Sequence, residues 1–109
     1  MQVYQVIENQ YDSDDGHYED FPLGYACVYR NEVDAIRVRD THNLASITEH
    51  NARTVEWRAL AIDRGWSVKK ASVYFVTFDG DPTDDVAIVL FANRANALTY
   101  FTIETLEVV

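Results

Sequence analysis

The sequence predicts an α+β fold: an antiparallel sheet of four or five strands with about three helices on one face. Three observations predict it. Short β-branched and aromatic runs alternate with breaks rich in Gly, Pro and Asp. Asn31, Ser46 and Asn93 stand where helix caps belong. Of 109 residues, 48% are hydrophobic and 13% aromatic, enough to bury one core in a single α+β domain over 1–109. A ferredoxin-like or related two-layer sandwich is the nearest architecture.

The elements follow in order. "VYQVIENQ" (3–10) reads as a strand, and an acidic loop follows at 12–20. "FPLGYACVYR" (21–30) resumes a strand, with Pro22 and Gly24 near its start. Asn31 caps a short helix over 32–40, which "THN" (41–43) breaks. Ser46 with Glu49 three residues on resembles a capping box. It opens a second helix over about 47–64, with Val55, Ala59, Ile62 and Trp66 at helical spacing and Gly65 as its stop. "KASVYFVTF" (70–78) is apolar on both faces and reads as the central strand. "DGDPTDD" (79–85) is a turn, and "VAIVLFA" (86–92) a second buried strand. Asn93 then caps a short helix over 94–101, and "TIETLEVV" (102–109) closes the sheet. Val73, Phe75, Val76, Ile88, Leu90, Ile36, Leu60 and Leu98 form the expected core.

The two halves resemble one another. "VYQV" (3–6) matches "VYFV" (73–76), and "YRNEVDAI" (29–36) matches "FANRANAL" (91–98). Each half reads strand, acidic loop, strand, Asn cap, short helix, an internal ββα repeat.

Charge is the strongest functional signal. Eighteen acids stand against nine bases, a net charge of −9. Such a chain does not seek nucleic acid or an anionic membrane. Its acid is concentrated. Asp12, Asp14, Asp15, Glu19 and Asp20 lie in the first loop, and Asp79, Asp81, Asp84 and Asp85 in the second; neither holds a lysine or arginine. The rest of the chain is balanced, which disfavours a general adaptation to salt. If the repeat holds, both loops leave one edge of the sheet and form one negative surface. Duplex DNA carries a charge every ~1.7 Å of its axis, so such an edge imitates it. Tyr11 and Tyr18 flank the first loop as contact anchors, since aromatics dominate interface hot spots.

Other chemistry finds little support. The EF-hand order fails, because glycine falls one place early after Asp12 and no glutamate follows at position twelve. Divalent-cation binding by the loops, in a regulatory module, remains the first alternative. His17, His42, His50 and Cys27 lack zinc spacing. There is no nucleophile elbow, phosphate loop or dinucleotide fingerprint, so a small enzyme with an unrecognised site is the second alternative. No cofactor is expected. The single cysteine makes no internal disulfide, and the N-terminus has neither the basic nor the apolar region of a signal peptide. The expectation is a cytoplasmic, non-catalytic protein. It would inhibit a basic, nucleic-acid-binding protein as a DNA mimic, in the manner of phage-encoded anti-restriction or anti-CRISPR proteins.

Overall fold

The computed structural model describes residues 1–23, 27–95 and 97–109. Its elements run β1 (Gln2–Asp12), β2 (His17–Pro22), β3 (Val28–Tyr29), α1 (Glu32–Asp63), α2 (Val68–Tyr74), α3 (Asp85–Ala95) and β4 (Tyr100–Glu107). The class is α+β, with a four-stranded antiparallel sheet and three helices. The order differs from the β-α-β-β-α-β of a ferredoxin-like sandwich.

β1 is the centre of the sheet. β4 pairs with it from Gln2↔Glu107 to Asn9↔Tyr100. Its other edge is shared: β2 takes Ile7 to Asp12, and β3 takes Tyr4 and Gln5. β2 and β3 are therefore one lane, interrupted where the register slips by four residues between Pro22 and Val28. The strand expected over 21–30 is this broken lane; Gly24, Tyr25 and Ala26 lie outside the described residues.

Both faces of β1 are buried, which explains its mixed pattern. Val6 packs with Phe101 and Ala35 of α1. Tyr18 and Tyr100 lie on the other face by strand alternation, and they pack with Ile88, Ala92 and Leu98. α1 reaches both sides: Ala35 packs with Val6 on one, and Ile47 joins Ile88, Ala92 and Tyr100 on the other, so the helices are not confined to one face.

α1 is one helix of 32 residues, not two. Asn31 caps it, its side chain accepting the Val33 N–H at 3.0 Å. No Gly or Pro interrupts 32–63. The supposed break at Thr41–Asn43 is filled by other bonds: the Thr41 hydroxyl donates to Arg37 O at 2.9 Å, and Asn43 bonds to β4. Gly65, at φ +104°, ends the helix as expected. Its N–H bonds to Ile62 O at 3.1 Å, and Trp66 N–H bonds to Ala61 O at 3.0 Å.

The two expected buried strands are helices. Ser67 caps α2 through Lys70 N–H at 3.1 Å, and only Ala71 of that helix is buried. Val73 faces solvent at 74% exposure. α3 is capped by Asp84, which accepts Ala87 N–H at 3.1 Å. Ile88 and Ala92, four residues apart, turn inward, while Val86 and Leu90 are exposed. Asn93 lies inside α3 rather than at the start of a helix, and its amide donates to Val89 O at 2.9 Å. The helix expected over 94–101 ends at Ala95, and β4 begins at Tyr100. Of the expected core, only Ile88 and Leu98 are fully buried; Val73, Val76, Leu60 and Leu90 are exposed. The internal repeat fails with these elements: "VYQV" is strand, whereas "VYFV" leaves the end of a helix.

The molecule is long, 59 × 28 × 20 Å. α1 runs alongside β1 in the same direction, because Ala35 meets Val6 and Ser46 donates to Thr99 O, near the Asn9 end. Beyond Thr54, α1 meets the segment around α2: Arg58 Nε donates to Phe75 O at 3.0 Å. That second half and α2 form a helical arm, in which Thr54 and Ala71 are the buried residues.

Candidate functional site: the acidic hairpin

The first acidic stretch is mostly strand. Only Ser13 to Gly16 turn, between the paired residues Asp12 and His17. Gly16 sits at φ +73°, where a side chain would be strained, and its N–H bonds to Asp12 O at 2.7 Å. Asp12 organises the turn. Its Oδ1 accepts the N–H groups of Asp14 at 2.9 Å and Asp15 at 3.3 Å. These backbone bonds hold its carboxyl below the usual aspartate pKa.

Tyr18 fixes the hairpin to the body. Its hydroxyl lies 3.0 Å from both Ala92 O and Leu98 O, so its single proton is shared between two carbonyls at the end of α3. Its ring meets Tyr11 edge-on at 5.4 Å and Tyr100 at 5.0 Å. Burial, then the neighbouring Tyr100 and Tyr11, push its pKa up to about 12. Tyr11 and Tyr18 thus pack at the base of the hairpin, and Tyr18 reads as a tether.

Asp14, Asp15 and Asp20 are exposed, and Glu19 is half-buried. Among the described residues, no carboxylate of the hairpin makes an ion pair. Asp15, His17 and Glu19 bring one ligand atom each to within 4.8 Å of one another. His17 and Glu19 alternate along β2 and so share a face.

The second acidic segment is different. Asp81 Oδ1 accepts both the N–H and the hydroxyl of Thr83 at 2.8 Å, and these bonds lower its pKa. Asp84 caps α3. Asp85 accepts Val86 N–H at 3.0 Å and pairs with Arg39 of α1 at 3.3 Å. Asp79 is exposed. Three of these four acids therefore shape the entry to α3. This segment feeds the N-terminal end of α3, while the hairpin meets its C-terminal end. Eleven residues of helix, ~16 Å, lie between them. The two loops do not belong to equivalent strand pairs, which removes the reason for expecting one continuous edge.

The structure also gathers residues that the sequence left apart. His42, Ser46, Glu49, His50 and Arg53 form a stripe on α1, and with Glu8 of β1 they line a cleft of about 330 Å³ over Leu98 and Phe101. His42 stacks on Phe101 at 4.9 Å. His50 meets Phe91 edge-on at 5.6 Å, and burial lowers its pKa. Reading 41–43 as a break hid this stripe, since the i, i+4, i+8 spacing of 42, 46 and 50 emerges only on a continuous helix. No orienting carboxylate bonds either imidazole among the described residues.

No family model, no curated protein and no solved structure matches this chain. No helix among the described residues is long and apolar enough to cross a membrane.

Proposed function

We propose that the chain is a non-catalytic interaction protein that offers its acidic hairpin to a basic protein surface. The nearest functional type is an inhibitor that competes with nucleic acid for such a surface. One observation carries this reading: Asp14, Asp15, Glu19 and Asp20 lie without ion pairs on a hairpin that Tyr18 fixes to the body. Packed like charges repel, and unpaired they steer a cationic partner and raise its association rate. Asp12, Asp81, Asp84 and Asp85 are taken out of the contact set, because each has a partner within the chain.

A second reading is favoured by the Asp15, His17 and Glu19 cluster, whose oxygen and nitrogen donors suit a divalent cation. One variant separates the two. Asp14→Asn, Asp15→Asn, Glu19→Gln and Asp20→Asn together leave Asp12 to hold the turn. The first reading expects unchanged unfolding and loss of most of the affinity for a basic protein captured from the native host. Calorimetric titration of the unaltered protein with Mn²⁺, Zn²⁺ and Ca²⁺ then gives little heat. Tight cation binding that the variant abolishes, with protein binding intact, would sink the first reading in favour of the second.

A further inference from the structure

We infer that two copies of this chain associate, the hairpin of each lying on the basic face of the other's helical arm. This rests on the reading of the hairpin as a surface for basic proteins. The arm is that kind of surface. Residues 52–76 hold Arg53, Arg58, Arg64, Lys69 and Lys70 against only Glu56 and Asp63, in a protein whose net charge is −9. The arm is also underpacked. Val55, Trp57, Leu60, Val68, Val73 and Tyr74 are all at least 46% exposed. Val73 and Tyr74 stand together beside Lys69 and Lys70, and exposed apolar side chains rimmed by charge mark a contact face. Ser67, Lys69, Lys70, Val73 and Tyr74 line a shallow groove of about 400 Å³ with an apolar floor.

The occupant is argued from complementarity. The hairpin carries Glu19 and Asp20 beside Phe21, which is 42% exposed. An aromatic flanked by acids fits an apolar groove flanked by lysines. On the arm, Arg53 pairs with Glu49 and Arg58 donates to Phe75 O, but Arg64, Lys69 and Lys70, like the hairpin carboxylates, make no ion pair among the described residues. α1 and β1 run in the same direction, so arm and hairpin leave the body at the same end. A two-fold arrangement then makes both contacts at once, residue i on j and j on i, and the pair closes. The overall negative charge opposes approach at distance, but at ~0.15 M salt it is screened beyond ~8 Å, leaving the local contacts to decide.

Sedimentation velocity at rising protein concentration tests this, at ~0.15 M and at ~1 M salt. The unaltered chain should form a dimer whose association constant falls at least tenfold at the higher salt. Lys69→Glu with Lys70→Glu, and separately Asp14→Lys with Asp15→Lys, should each weaken it at least tenfold. Mixing the two variants should restore a mixed dimer, since each supplies the surface that the other lacks. That gain cannot come from misfolded protein. A chain that stays monomeric throughout overturns the inference. So does a dimer insensitive to the hairpin change, which would be an apolar arm-to-arm pair. If the chain is monomeric while the neutralised hairpin still loses its foreign partner, the functional reading stands and this inference falls alone.

Discussion

Asn43 is 1% exposed in the middle of α1, and both ends of its amide serve one residue of β4. Its Nδ2 donates to Phe101 O at 3.1 Å, and its Oδ1 accepts Phe101 N–H at 2.7 Å. The N–H and C=O of a residue in an antiparallel strand point to the same side. β1 occupies one edge of β4, so Asn43 closes the other. Reading "THN" as a helix break followed from the ordinary preference of Asn for caps and turns; its partner lies 58 residues away, where local propensity carries no information. Asn43→Ala should therefore destabilise strongly, because each stranded buried group costs about 1–3 kcal/mol. Urea unfolding checks this, and a loss below about 0.5 kcal/mol would show the edge is hydrated. Tyr18 sets the second expectation. Its pKa is raised from 10.0 to about 12, so the folded state holds its proton where the unfolded state releases it. Its contribution is complete below pH 10 and is lost as pH rises toward 12. Tyr18→Phe should flatten the stability curve over that window without levelling it, since burial raises Tyr100 as well.

The helices α2 and α3 show what periodicity leaves open. "VAIVLFA" is an unbroken apolar run, and such a run fits a buried strand or a helix equally. The caps decide between them: Asp84, which the sequence reading places in a turn, and Ser67, to which it gives no role, sit at the starts of the helices. The strands at the ends of the chain were legible from their β-branched and aromatic residues mixed with polar ones, and the helix stop from Gly65. The acidic stretches were legible as charge, but not as structure, since one Asp that caps a helix and another facing water look alike in sequence. α3 gives a direct contrast. Ile88→Ala should cost about 2–5 kcal/mol as a large-to-small core change, whereas Leu90→Ala, at 55% exposure, should stay within about 0.5 kcal/mol. Equal losses at the two sites would return this segment to a strand, in which the two share one buried face.

At the scale of the molecule, the long axis of 59 Å separates a body with a mixed core from an arm with almost none. The hairpin belongs to the body, tied by Tyr18, and the arm hangs on α1. The central strand has a further consequence. β1 comes first in the chain, and its longest partner, β4, comes last, with Gln2 opposite Glu107. Closing that pair brings together residues about a hundred positions apart, and such loops are slow to close because their entropy is spent before any contact rewards it. While the chain is being made, α1 can coil as soon as it emerges. β1, however, must wait with one edge bare until the final strand is synthesised. An open strand edge is a template for wrong pairing. The acidic hairpin adjoins β1, and like charges oppose the approach of a second such edge.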